Sequence, residues 1–274
     1  MTKGSLTATL GRAALTLALV AGPAAYAGQP CEERPPEPEQ AAKALQMADL
    51  TLDTLRDLPD EVVLLARVGQ DLSKYQLHYS HMAFAVKQGE GWSVVHKLNQ
   101  CGTDQSKVFE QGLLEFFSDN PFKYEAGVWR LEPPVQARLK KALVGKKSLD
   151  FHEARYSMLA YPFSAQYQNS NGWVLEVLSY GLAPEDEANT RKSSQTWLQS
   201  NGYHPTELQL GALTRLGARV TKANVAFDDH PGELRWAGRI QTVTVESVIA
   251  FLRTLPNGCL DKGCPVTTLK PKTN

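Results

Sequence analysis

Between Gln40 and about Leu58 the apolar residues Ala44, Leu45, Ala48, Leu52 and Leu55 recur at intervals of three and four, the period of one helix face, and Pro59 ends the run. Val62-Val63-Leu64-Leu65-Ala66-Arg67-Val68 is a continuous apolar run suited to a buried central strand, and Gly69 closes it. Tyr79 to Val86 and Trp92 to His96 have strand character and are joined by Gln88-Gly89-Glu90-Gly91, the composition of a hairpin turn. The pattern then predicts a helix over Lys107 to Phe117, a strand over Tyr124 to Leu131 and, after Pro133-Pro134, a helix over Val135 to Val144. Tyr161 to Asn171 is polar and aromatic without a period, after which Trp173, Val174, Val177 and Leu178 restore helical spacing. Further helices are expected over Thr190 to Ser200, Thr206 to Leu216 and Glu246 to Leu255, with a last strand over Ile240 to Val245. There is no internal repeat. The expected fold is a single α+β domain over 40–274, an antiparallel sheet with helices packed on it.

The first 27 residues follow a different pattern. Lys3 and Arg12 precede the apolar stretch Ala13 to Ala21, and Gly22-Pro23 leads to small residues at Ala25 and Ala27, which reads as a secretory signal cleaved after Ala27. The stretch is shorter than the ~20 residues a spanning helix needs, and no other such stretch follows. Residues 28–39 form a proline-rich acidic leader expected to be non-helical. The protein is therefore expected in the periplasm or outside the cell.

The whole chain has 274 residues with 29 basic and 29 acidic side chains, and loss of Lys3 and Arg12 leaves 27 against 29. Without a basic surplus there is no electrostatic case for nucleic acid. In an exported chain the four cysteines read most simply as disulfides, Cys259 with Cys264 and Cys31 with Cys101, although three pairings are possible. Zinc is disfavoured, because no His or second cysteine pair accompanies Cys259 and Cys264. No phosphate loop, metal motif or nucleophile elbow is present, and no cofactor is expected.

The chemistry available is histidine. Of the six histidines, His81 and His96 fall on the two strands of one hairpin, where cross-strand pairing can bring them together. In an unbroken strand His81 would share a face with Tyr79 and Ala83. Asn169, Ser170 and Asn171 are all residues that cap helices, so a helix amide end with its partial positive charge is expected near Ser170. Glu176 takes no part in this reading.

Tyr79-Ser80-His81-Met82-Ala83-Phe84-Ala85-Val86 is similar to the strand that carries the catalytic histidine of NlpC-type papain-like cysteine peptidases. In the circularly permuted branch, which includes lecithin–retinol acyltransferase-like proteins, that strand precedes the nucleophile at a helix start. Here His81 precedes Tyr167-Gln168-Asn169-Ser170-Asn171-Gly172-Trp173-Val174-Leu175-Glu176 in the same order. Together with Val95-His96-Lys97-Leu98-Asn99-Gln100-Cys101-Gly102 and Asn120-Pro121-Phe122, the chain resembles the bacterial domain-of-unknown-function 2145 family over roughly Val62 to Leu255. The resemblance implies a permuted papain-like architecture with His81 as base, His96 as the group that orients it and Ser170 in the nucleophile position. Backbone amides near Asn171 or the Gln168 side chain would serve as oxyanion donors.

Serine departs from the cysteine of the peptidase pattern, and capping alone also accounts for Asn-Ser-Asn. Two functions follow. One is an exported hydrolase or acyltransferase acting on an amide or ester, such as cell-wall peptide. The other is a catalytically inactive relative that binds a peptide, glycan or partner protein in the same cleft, with Tyr161, Phe163, Tyr167 and Trp173 around it.

Overall fold

In a computed structural model, residues 37–271 are described; the expected signal segment, the leader up to Pro36 and Cys31 lie outside them. Helix α1 spans Pro38–Arg56 and so begins inside the segment expected to be non-helical. Pro38 sits in the first turn, where its missing N–H costs nothing, and Glu37 and Gln40 bond each other's backbone as a capping box.

The remaining elements are β1 Val62–Val68, β2 His81–Gln88, β3 Gly91–Asn99, β4 Ser106–Gln111, α2 Leu113–Phe117, β5 Lys123–Arg130 and α3 Pro133–Val144. They continue with α4 Ser170–Leu182, α5 Arg191–Ser200, β6 Thr206–Gln209, α6 Ala212–Thr221, α7 Gly232–Trp236, β7 Arg239–Thr242, α8 Val245–Thr254 and β8 Thr267–Leu269. Six strands form one antiparallel sheet in the order β4-β3-β2-β1-β5-β8, and β6 pairs with β7 in a separate ribbon. The chain is α+β with helices packed on an antiparallel sheet, as the pattern implied.

Alternate residues of the strands serve opposite faces. Val62, Leu64, Met82 and Phe84 join Leu139 of α3, Trp173 and Val177 of α4 and Val248 of α8. Val63, Leu65, Ala83, Ala85 and Val94 join Met47 and Leu55 of α1 and Leu113 and Phe116 of α2. Both faces are thus covered, which is why β1, between β2 and β5, is buried along its whole length and carries no polar alternation. The turn between β2 and β3 is the expected hairpin: Gln88 pairs with Gly91, and Gly89 takes a φ of 59°, a backbone state that glycine adopts without strain.

Two predicted helices are wrong. The segment read as a helix over 107–117 is the strand β4 followed by the single turn α2. Pairing with β3 from Asn99↔Ser106 to Val94↔Gln111 takes the backbone bonds, and Gly112 caps the helix that follows. The segment read as a helix over 206–216 is β6, which pairs with β7, and α6 begins only after Gly211. Leu208 and Leu210 are buried two residues apart, the spacing of a strand.

Cys259 is disulfide-bonded to Cys264, as expected, and Cys101 is also in a disulfide, while its expected partner Cys31 lies outside the described residues. No helix among the described residues is long and apolar enough to cross a membrane. Both facts fit an exported chain.

Candidate active site

The hairpin brings two histidines together. On the face covered by α1 and α2, His81 Nε2 lies 2.9 Å from His96 Nδ1, and the Phe116 ring stands 6.0 and 5.3 Å from the two imidazoles. Tyr79 does not share their face as an unbroken strand would require, because β2 begins at His81 and Tyr79 joins Trp129 in the opposite cluster. Arg67, cross-strand from His81, is buried; its guanidinium bonds Asp119 and the Phe116 carbonyl and lies over the Phe116 ring. Burial, then the Arg67 charge, holds His81 well below the usual imidazole pKa, and burial lowers His96 to about 4. Both rings are neutral at pH 7.

A third residue, unforeseen in the sequence, sets the tautomers. Gln111 ends β4 on the same face as His96, as its diagonal cross-strand neighbour, and its Oε1 lies 2.7 Å from His96 Nε2. A carbonyl oxygen only accepts, so His96 Nε2 carries the proton and Nδ1 the lone pair. His81 Nε2 must then donate to that lone pair. This leaves His81 Nδ1 as the unprotonated nitrogen, with no hydrogen-bond partner among the described residues.

Helix α4 meets this strand end-on. The β2–β3 ladder stops at Phe84↔Val95, which leaves the Met82 N–H untaken by β3. Asn171 fills the gap: its Oδ1 accepts from Met82 N at 2.9 Å and its Nδ2 donates to Ser80 O at 3.3 Å. One side chain therefore holds the backbone on both sides of His81, and Ser170 is the residue before it. Ser170 is not the cap. That role belongs to Asn169, whose Oδ1 accepts from Gly172 N at 2.6 Å while its Nδ2 reaches Thr242 and Val243. Ser170 stands at the first helical position, and its hydroxyl lies 3.5 Å from the Tyr156 hydroxyl, its one hydrogen-bond partner among the described residues.

A buried polar chain supports the helix start from below. Lys97, on the α4 face of β3 and fully buried, donates to Gln168 Oε1 at 2.7 Å, Gln168 O at 3.0 Å and Glu153 O at 2.7 Å. Burial lowers its pKa to about 7. Gln168 passes the chain on, donating through Nε2 to Glu176 Oε2 at 2.5 Å and to Phe151 O at 2.8 Å. Both amide hydrogens are spent, so Gln168 is not available as an oxyanion donor, contrary to the expectation. Glu176 receives Arg191 at 2.8 Å and Gln195 at 2.8 Å; burial still raises its pKa. Glu176, left without a role by the sequence pattern, is the acceptor at the far end of this chain.

Residues 54–252, nearly three quarters of the chain, match the family described as "Uncharacterized protein conserved in bacteria (DUF2145)". The chain belongs to that family. No curated protein and no solved structure matches it.

In this DUF2145 chain the other histidines sit apart from the pair. His230 is buried with its ring nitrogens 2.9 Å from Asp229 Oδ1 and 2.9 Å from Gln241 O, a structural role. His78 bonds Glu125 at 2.6 Å. Among the described residues no group of three or more His, Cys, Asp or Glu side chains is placed to hold a metal ion. Of the aromatics expected around the helix start, Trp173 is core, fully buried with Nε1 donating to Ser148 O.

Space is distributed unevenly. Beside α4, a cavity lined by Tyr161, Tyr167, Gln168 and Asn169 measures about 10 Å³, room for one water. A concavity of about 710 Å³ lies at the start of β1 among Pro59, Arg130, Gln136 and Lys140, whereas His81 pairs with Arg67 at the end of that strand. Its Arg130 is paired to Asp60 and its Lys140 to Glu61, and no Ser, Thr, Cys or His lines it. The histidine pair and Ser170 thus lie at the opposite end of β1 from the larger volume.

Proposed function

We propose that the chain is an exported hydrolase or acyltransferase on a permuted papain-like plan, acting on an amide or ester such as cell-envelope peptide. Ser170 is the nucleophile, His81 the base, and His96 with Gln111 the groups that orient it. The observation that carries this reading is the direction of the Gln111–His96–His81 chain, which leaves His81 Nδ1 as a free lone pair on a backbone that Asn171 stitches to the start of α4. A neutral imidazole with one nitrogen oriented and the other open is what a general base requires.

The acylation step requires the His81 ring, on the sheet face covered by α1 and α2, to reach the Ser170 hydroxyl round the end of β2, directly or through one water; His81 Nδ1 then accepts that proton as Oγ bonds the substrate carbonyl carbon. The proton passes to the leaving group as the carbonyl–leaving-group bond breaks. Water, or an acceptor hydroxyl or amine, then repeats the sequence on the acyl-serine and restores the hydroxyl. In the first turn of α4, Gly172 N–H goes to Asn169, while Asn171 N–H has no partner among the described residues. It is the amide available to the oxyanion, where the helix dipole adds to its effect.

A second reading has an observation of its own. The Ser170 hydroxyl rests on Tyr156 rather than on an imidazole, which suits a catalytically inactive relative that binds peptide or glycan. The two are separated by assaying the mature protein on acyl esters and peptidoglycan fragments beside Ser170→Ala, Ser170→Cys and His81→Ala. Turnover lost in Ser170→Ala and His81→Ala supports the hydrolase. An inert wild type whose Ser170→Cys variant is labelled by a thiol probe only while His81 is present supports the binder. An inert wild type with no histidine-dependent labelling overturns both.

A further inference from the structure

The sheet ends at β4 in an edge whose hydrogen-bond phase can be read residue by residue. Gln100 N donates to Gln105 O at 2.7 Å, which makes these two a hydrogen-bonded pair in line with the β3–β4 register. The phase alternates, so Lys107, Phe109 and Gln111 turn their N–H and C=O groups toward β3, whereas Ser106, Val108 and Glu110 turn theirs away from it. Ser106 bears this out, because its N–H reaches outward to Ala154 O at 2.8 Å. There the fold lays an extended segment on the edge: Gln105 is bridged antiparallel to Arg155, and Tyr156 N donates to Asp104 O. That cover stops at Ser106, since His152 N turns back to Leu149 O. Strand β4 runs on to Gln111, and the backbone N–H and C=O groups of Val108 and Glu110 have no partner among the described residues.

We propose that this open stretch of β4 binds an extended peptide as an added antiparallel strand, in line with residues 154–156 and bonded to the backbone of Val108 and Glu110. Backbone donors and acceptors alternating in one row are matched by another strand, so the chemistry of the edge names a peptide as its occupant. The window favours a free peptide over a second copy of the chain. Residues 154–156 close it at one end, and at the other the chain leaves the sheet at Gly112 for α2, so only Val108 to Glu110 are open. The antiparallel direction brings the C-terminal end of the peptide up to Ala154, two residues before Tyr156, whose hydroxyl lies beside that of Ser170. The added strand thus leads toward the proposed nucleophile, but its binding does not depend on turnover there.

The mature protein, isotope-labelled for NMR, is titrated with the peptide acetyl-Thr-Lys-Phe-Val-Thr-amide, which sets Lys opposite Glu110, Phe opposite Phe109 and Val opposite Val108. The expected result is saturable shifts of the Val108 and Glu110 amides and a hydrogen exchange at both that slows by about fivefold or more, while Phe109 and Gln111, already bonded to β3, change little. N-methylation of the peptide's Lys and Val, whose N–H groups point at β4 in this register, is expected to weaken binding by about tenfold or more, and N-methylation of its Phe, which points away, to leave it. Glu110→Pro removes an outward N–H and takes no bond from β3, so it weakens binding at an unchanged circular dichroism spectrum. Wild type and Ser170→Ala bind alike, so failure of the hydrolase reading leaves this one standing. No shift at millimolar peptide, shifts away from β4, or binding indifferent to the position of the N-methyl group overturns the proposal. So does slow exchange at Val108 and Glu110 in the protein alone together with a dimer in analytical ultracentrifugation, which gives the edge to a second copy.

Discussion

A hydrogen-bond chain that ends on an amide oxygen has a direction, and its direction is set by the end that cannot donate. Gln111 is that end. Gln111→Leu leaves His96 Nε2–H without its acceptor and frees the pair to adopt the opposite tautomers, in which His81 Nδ1 holds a proton and cannot act as a base. A fall in kcat of about tenfold or more with KM unchanged is expected, partly rescued by Gln111→Glu, which restores an acceptor. The pH–rate profile supplies a second measurement. The proposed mechanism requires neutral His81, whose pKa lies well below 6.5, so the rate is expected to be flat from pH 6.5 to 8 and to fall only in more acidic solution, unlike a site governed by an unperturbed imidazole. His81 and His96 were visible in the sequence because a short turn fixes cross-strand neighbours. Gln111 was not, because apolar residues around it suggested a helix and a glutamine carries no signal of its own until the strand that places it is known.

At the scale of elements, the start of α4 depends on Lys97 below it and on α3 beside it. Lys97→Met removes the donor to three oxygens; Gln168 Oε1 keeps the Glu153 N–H and the Glu153 carbonyl keeps the Ser106 hydroxyl, but each loses its bond to the ammonium and Gln168 O loses its side-chain donor. A loss of about 3 kcal/mol in urea denaturation is expected. Gly181 lies where α4 crosses α3: a Cβ there would stand 2.8 Å from Leu139 Cγ and 3.2 Å from Val135 Cγ1. Gly181→Ala is expected to cost about 2 kcal/mol by forcing the helices apart, measured as a lower denaturant midpoint at unchanged slope. Helices α1, α3, α4, α5 and α8 were legible because each carries an apolar period of its own, and for α5 and α8 a Thr cap as well. Strands β4 and β6 were not, since an edge or ribbon strand is half polar and its pairing partner, not its composition, decides its state. The same limit concealed Lys97 and Glu176, whose partners come from segments far along the chain.

For the whole molecule, burial of the histidine pair makes stability depend on acid. His96 titrates at about 4 when folded and near 6.5 when unfolded, so as pH falls below 6.5 the unfolded chain takes up the proton first. Stability is therefore full above pH 6.5 and declines as pH falls toward 4, by on the order of 3 kcal/mol from His96 alone. His81, shifted in the same direction, adds to the loss. Thermal melts across pH 7 to 4 are expected to show this decline, and His96→Gln should flatten it. Residues facing solvent leave little trace in a hydrophobic pattern, which is why the open edge of β4 emerged only once its pairing with β3 was in place.

The bond from Asn171 to the backbone beside His81 spans 89 residues of sequence. Loops of that length close late, after local hairpins and helices have formed. The β2–β3 hairpin, with both imidazoles, can therefore exist early in folding as an ordinary pair of solvent-wetted histidines near pKa 6.5; packing of α1 and α2 and pairing of β4, with Gln111, make them a dry, directional pair, and docking of α4 adds the clamp of Asn171 on the backbone beside His81. In the proposed mechanism, no fragment ending before Ser170 carries both the base and the nucleophile. On that proposal a chain held unfolded for export carries His81 and Ser170 in two separated pieces and joins them only when α4 docks.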